Sequence, residues 1–164
     1  MESSARLRFV AMDAAGFAAW KQHAVPAFAD DKVASGDWPQ ADALQRSQAG
    51  YDALLPMDEN TPGHHLGHLV DADEHIVGWA WIHVAPALEG VSERAAFLYD
   101  FGIVAALRGQ GLARIALAEV ERHAHELGAT RLGLHVFGHN TVARHVYESA
   151  GFVVTDLNLS KPLR

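Results

Sequence analysis

Arg108-Gly109-Gln110-Gly111-Leu112-Ala113 is the stretch on which the fold turns. An apolar run over residues 96–104, broken only by Asp100, precedes it, and an amphipathic stretch to about residue 127 follows. The first backbone N–H groups of a helix have no internal partner, and the helix dipole makes that end positive. Gly109 and Gly111 carry no side chain to hold an anion away from the backbone, and Ala113 is nearly as small. Arg108 and Arg114 add full charges. The hexapeptide therefore reads as an anion site at a strand-to-helix junction, suited to phosphate or pyrophosphate. A tight turn with incidental arginines is the competing reading. A Walker loop is set aside because no Gly-Lys-Ser/Thr follows, and a dinucleotide fingerprint because three spaced glycines and a later acidic residue are missing.

Outward from this junction the chain alternates cleanly. Apolar residues at 112, 115, 116, 120 and 127 predict the inner stripe of the helix, with Arg114, Glu121, Arg122 and Glu126 toward water and Gly128 ending it. Strands are expected at residues 131–137 and 152–159, with a helix at 140–149 between them. Upstream, a hairpin at 64–70 and 75–84 places Trp79 and Trp81 on one face by period two. Before it come a short strand at 6–10, a helix from the Asp13 cap to residue 28, and a second helix at 38–55 with Ala41, Leu44, Gln48 and Tyr51 on one face. The order β, α, α, β, β, β, α, β, α, β predicts an α/β (α+β) domain, a mixed sheet with helices on its faces. Residues 96–137 should form a parallel β–α–β unit.

The totals narrow the function. A chain of 164 residues suits one domain. The absence of cysteine excludes disulfides, thiolate metal sites and a cysteine nucleophile. A formal net charge of −7 argues against binding a phosphate backbone, so no nucleic acid is expected. Residues 1–8 hold no apolar signal core, and no apolar run is long enough to span a bilayer. No membrane partner and a cytoplasmic location follow as expectations. His64, His65 and His68 lack the helical His-Glu-x-x-His context and a third ligand at known spacing, so no metal is expected.

The hexapeptide resembles the Arg/Gln-x-x-Gly-x-Gly/Ala motif of the GNAT superfamily of N-acetyltransferases, with Arg108, Gly111 and Ala113 in the defining positions. The similarity runs on for some fifty-five residues. Leu98-Tyr99-Asp100-Phe101-Gly102-Ile103-Val104 resembles the family's fourth strand, and Leu132-Gly133-Leu134-His135-Val136-Phe137 its fifth. Asn140 to Phe152, containing Tyr147-Glu148-Ser149-Ala150-Gly151-Phe152, is similar to its second CoA-contacting motif. Three segments in order make a specific signal. The resemblance implies a mostly antiparallel sheet with splayed fourth and fifth strands, in a single domain over 1–164. Residues 1–95 would shape the acceptor site and 96–164 would bind acetyl-CoA as cosubstrate. It further implies transfer of an acetyl group to a primary amine of a small molecule, amino acid or peptide by direct attack in a ternary complex. A non-catalytic acyl-CoA-binding module and a transferase using another acyl-CoA remain alternatives. Oligomeric state is silent in the sequence; a homodimer is suggested by family analogy alone.

On this resemblance the pyrophosphate would meet the N–H groups of Gly109, Gln110, Gly111, Leu112, Ala113 and Arg114, beside Arg108. The pantetheine arm would pair with the fourth strand, with the N–H of Ile103 or Val104 polarising the thioester carbonyl. Gly102 would fit a bulge there or merely relieve packing. Asn140, Ala143 or Arg144, and Tyr147 share a helix face. Asn140 would contact the pantetheine, cap the helix, or both. Tyr147 would protonate the leaving thiolate, or be a core aromatic. Asp100, the only acid on the strand, is either the general base or a structural carboxylate. Glu93, His83 and His135 stand in reserve. By position, Glu59, His64 and Trp79 would line the acceptor pocket, with Asp30, Asp31, Asp58 and Glu59 as an acidic wall.

Overall fold

A computed structural model describes residues 6–163. Five strands lie in sequence order: β1 (Arg8–Ala11), β2 (His64–Val70), β3 (Ile76–Val84), β4 (Ala95–Ile103) and β5 (Arg131–Leu134). The first three ladders are antiparallel and β4 pairs with β5 in parallel, as the β–α–β pattern predicts. Helices α1 (Ala14–Ala34) and α2 (Ala43–Leu54) pack against each other over one face. Beneath them Phe17, Trp20, Tyr51, Leu55, Leu66 and Trp81 form one buried cluster. On the opposite face α3 (Leu112–Glu126) lays Ala116, Leu117 and Val120 on Leu69, Ile82 and Leu98. α4 (Thr141–Ser149) adds Val146 and Tyr147 to the edge of that second cluster.

Several boundaries differ from the sequence expectation for identifiable reasons. α1 runs on past residue 28 to Ala34. Its last turn is pinned by the Lys32 ammonium, which sits 5.6–5.7 Å from the rings of Phe28, Trp38 and Phe137. α2 starts at Ala43 instead of residue 38, which shifts its inner face to Ala43, Ser47 and Tyr51 and leaves Leu44 exposed. Ser47 is tolerated inside because its hydroxyl donates to the Val25 carbonyl at 2.7 Å. On α3 the inward positions are Ala116, Leu117, Glu119, Val120 and Ala124, while Ile115 turns to water. Glu119 is buried because it accepts from the Phe9 N–H at 2.8 Å and pairs with Arg122 at 2.6 Å, tying β1 to α3.

The largest departure concerns the last expected strand. Residues 152–163 carry no regular structure, and β5 stops at Leu134 instead of residue 137. Alternating polarity makes a surface suited to a sheet, but a strand also needs a ladder partner. Among the described residues β5 pairs with β4 alone, so its outer edge is unpaired.

Candidate acetyl-CoA and acceptor site

The β4–β5 ladder ends at Leu98↔Leu134, while β4 continues five residues further, to Ile103. The two strands therefore part, leaving a gap beside residues 99–103. Their backbone groups can be assigned. The Val104 N–H donates to the Val77 carbonyl at 2.9 Å. In an antiparallel ladder, residues that exchange hydrogen bonds alternate with residues that do not. Ile103 (opposite Gly78) and Phe101 (opposite Ala80) thus turn their N–H and C=O groups away from β3, into the gap. Arg108 confirms the direction, since its Nε reaches the Ile103 carbonyl at 3.0 Å. Of the two N–H donors expected on this strand, Val104 is committed within the sheet and Ile103 faces the gap.

A register shift between Trp81 and Ile82 leaves Tyr99 as an extra residue in β4. This β-bulge puts Tyr99 and Asp100 on the same face, toward α1 and α2. Tyr99 stacks on Trp81 with ring centroids 4.6 Å apart. The bulge thus sits three residues before Gly102. Glycine at 102 has a different cause: a Cβ there would meet the Trp79 ring at 2.3 Å. Gly102 lets Trp79 lie across β4, and that position brings the indole to Asp100.

Asp100 Oδ2 accepts from Trp20 Nε1 at 2.8 Å and from Trp79 Nε1 at 2.9 Å. Burial pushes its carboxyl above the ordinary carboxylate range, opposed by the Trp20 and Trp79 donors, the Phe101 N–H and the nearby His23. The residue as a whole is half-buried, and its carboxylate is enclosed by protein. Trp20 was missed in the sequence; its only signal was a tryptophan in an otherwise alanine-rich helix.

Tyr147 lies on the other side of the β4 edge, its ring 6.4 Å from that of Phe101. Burial, with the Asp100 charge behind it, pushes the phenol up to about 12, so it stays protonated at neutral pH. Asn140 is the α4 N-cap: its Oδ1 accepts from the Ala143 N–H at 3.1 Å, which leaves its amide nitrogen for other partners.

Past Ile103 a short 3-10 turn, Ala105–Leu107, leads into the Gly-rich loop. Gly109 and Gly111 both have φ 76, the left-handed region where side chains are strained. Nothing lies within 4 Å of where a Cβ would stand at either position. Gly111 is the α3 N-cap and offers no side-chain cap, so the first N–H groups of the helix point into open space. The open cradle and its N–H donors fit a pyrophosphate.

The remaining candidates do not gather here. His65 lies on the face opposite His64 and His68 by strand alternation, so the three histidines do not converge on a metal. His64 Nδ1 instead accepts from Trp81 Nε1 at 2.9 Å, and burial lowers its pKa to about 4, keeping it neutral. His83 pairs opposite Phe97, and Glu93 precedes the start of β4, both toward the end away from the gap. The acidic wall is dispersed: Asp31 contacts His139 at 3.2 Å, and Asp58 and Glu59 lie in a groove of about 910 Å³ between α1 and α2. That groove, lined also by Phe17, Lys21 and Leu44, is on the outer surface of the helix pair and does not include Asp100. Among the described residues one trio, the half-buried Asp71 with the exposed Asp73 and His75, is close enough to share a cation. The Asp71 carboxylate there already accepts the N–H groups of Asp73 and His75 at the hairpin turn.

The sheet thus opens at a bulged strand onto a glycine-rich helix start. Residues 19–152 match the model of the Acetyltransferase (GNAT) family. The uncharacterized N-acetyltransferase YycN of Bacillus subtilis is 43% identical over 136 residues, 83% of this chain and 85% of that protein. A second uncharacterized N-acetyltransferase of the same organism, YdgE, is 33% identical over 147 residues, 90% of this chain and 92% of its own. The crystal structure of YycN superposes with a TM-score of 0.91 at 38% identity, covering 96% of this chain and 99% of that one. An aminoglycoside N-acetyltransferase solved in complex with CoA, AAC(6')-Iy, shares the fold at a TM-score of 0.58 and 16% identity, over 100% of this chain and 99% of its own. The chain belongs to the GNAT family of acetyltransferases.

Proposed function

We propose that the protein moves the acetyl group of acetyl-CoA onto a primary amine of a small molecule, amino acid or peptide, with both substrates bound together. The observation that carries this reading is the continuity of two features. Backbone of Phe101 and Ile103 that β3 does not use lines the gap, and the gap runs to the open glycine cradle at the start of α3. An extended pantetheine arm pairs with such an edge as an added strand does, while a pyrophosphate sits on the helix N–H groups.

Acetyl-CoA supplies the thioester carbonyl that the amine attacks. The Ile103 N–H donates to the carbonyl oxygen as charge builds there. An alkylammonium is neutral in only about one part in a few thousand at pH 7, so a base must take its proton. Asp100 does this through the oxygen its indole donors leave uncommitted, and its raised pKa suits the task. As the C–S bond breaks, Tyr147 gives its proton to the departing sulfur, from the opposite side of the β4 edge. Gly109 to Arg114, with Arg108, hold the pyrophosphate, and the free amide nitrogen of Asn140, beside Ala143, contacts the pantetheine. Residues 96–164 thus serve the donor and residues 1–95 the acceptor, with Trp20 and Trp79 supplying the wall around Asp100. A cytoplasmic location accompanies this reading, since its donor is acetyl-CoA.

Acetyl-CoA should raise the melting temperature of the wild type, and Gly111→Trp should abolish that rise, measured against the variant's own melting point. An undiminished rise in the variant removes the pyrophosphate from this turn.

A further inference from the structure

The sheet face toward α1 and α2 carries an aromatic surface that the proposed chemistry leaves unused, with Tyr99 at its centre. The Tyr99 ring stacks on Trp81 at 4.6 Å and is flanked by Phe97 at 4.9 Å, His64 at 6.0 Å and His83 at 6.4 Å. Trp81 is buried and fixed, since its indole donates to His64 Nδ1 at 2.9 Å. Tyr99 itself is 41% exposed. On the β5 side the register sets Gly133 beside Phe97, so that position of β5 puts no side chain over the rings. The surface is therefore held rigidly from below and open from above.

The β4 bulge joins this surface to Asp100. Tyr99 and Asp100 are consecutive and face the same side, with Cα atoms ~3.8 Å apart. Trp81 lies opposite Asp100 in the register, and Trp20, which donates to Asp100, meets Trp81 edge-on at 5.6 Å. Negative charge is scarce on this sheet. Asp100 is the only carboxylate on the five strands. Asp31, on α1, is engaged by His139 at 3.2 Å.

We infer that the acceptor is an arylalkylamine with a single amino group, its ring lying on Tyr99 and its nitrogen held at Asp100. This rests on the role proposed above for the Asp100 site. One carboxylate matches one ammonium. A polyamine or an aminoglycoside brings several, and its further charges would meet aromatic rings and the neutral His64 imidazole instead of carboxylates. A ring on this surface buries apolar area and stacks, whereas a second ammonium would gain only a cation–π contact at a partly solvated place. The short step from Tyr99 to Asp100 sets the tether between ring and nitrogen at about two carbons.

Calorimetric titration of the CoA-loaded protein tests this. Phenethylamine should bind about tenfold or more tightly than ethylamine, which keeps the tether and lacks the ring, and more tightly than putrescine or spermidine. Tyr99→Ala should erase the advantage of the ring and Tyr99→Phe should keep it, both with wild-type circular dichroism. The order of ligands on the wild type decides the matter even if Tyr99→Ala fails to fold. Tighter binding of spermidine, equal binding of ethylamine, or a ring advantage that survives Tyr99→Ala overturns the inference. Binding that depends on Tyr99 without acetylation of the bound amine would uphold the aromatic site and contradict acetyl transfer. Acetylation of spermidine in preference to phenethylamine would uphold the transfer and contradict this acceptor class.

Discussion

Asp100 receives both indole N–H groups on a single oxygen, so its second oxygen is oriented and takes neither of them. Hydrogen bonds to a charged carboxylate lower its pKa, and burial raises it. Removing one donor should therefore leave burial less opposed. Trp79→Phe is expected to shift the acid limb of the kcat/KM profile to higher pH, by up to about one unit, because the base must lose its proton before it acts. A profile measured with saturating acetyl-CoA would show the shift, and an acid limb that does not move would separate Trp79 from the base. Much of this site was legible in residue types. Asp100, Tyr147 and the 108–114 loop stood out because a carboxylate in an apolar strand and glycines at a helix start have few uses. Trp20 was not legible, since a helix eighty residues away meets β4 only through the tertiary fold. Gly102 was legible as special but not as the seat of the Trp79 ring, a contact that local periodicity does not encode.

At the scale of elements, the β–α–β order was readable because apolar period changes sharply at Gly109–Gly111. The phase of α3 was not. The expected stripe includes Ile115, which faces water, and omits Leu117, Glu119 and Ala124, which are buried. A buried carboxylate that caps β1 and holds Arg122 rotates the helix to face its partners. Hydrogen bonding from Arg122 and the Phe9 N–H, opposed by burial, holds the Glu119 carboxyl below its usual range. A depressed folded pKa contributes stability that is present above the unfolded value and is lost as pH falls through the folded one. Glu119→Gln should cost about 1–3 kcal/mol in urea unfolding at pH 7, and the gap to wild type should narrow on acidification below about pH 4. A gap that stays constant with pH would assign the loss to packing. The expected strand over residues 152–159 does not form. Residues 152–163 take up no ladder although the outer edge of β5 is unpaired among the described residues.

At the scale of the whole molecule, the two faces of the sheet divide the labour. α3 and α4 close one face and present the glycine cradle, while α1 and α2 bring Trp20 across the other to Asp100. The family and fold follow from the chain's own residues and from its relatives, and among the described residues no helix is long and apolar enough to cross a membrane. Aromatic rings surround one enclosed carboxylate on the α1–α2 face, and the proposed function takes this as the acceptor side. The account therefore rests on turnover. Thiol release from acetyl-CoA should be followed across a panel of small amines, polyamines, aminoglycosides, amino acids and N-terminal peptides. At least one amine should release CoA in proportion to its own acetylation, with the rate falling about a hundredfold or more in Asp100→Asn. Tight CoA binding with no release on any amine would contradict the account and leave the protein an acyl-CoA-binding module.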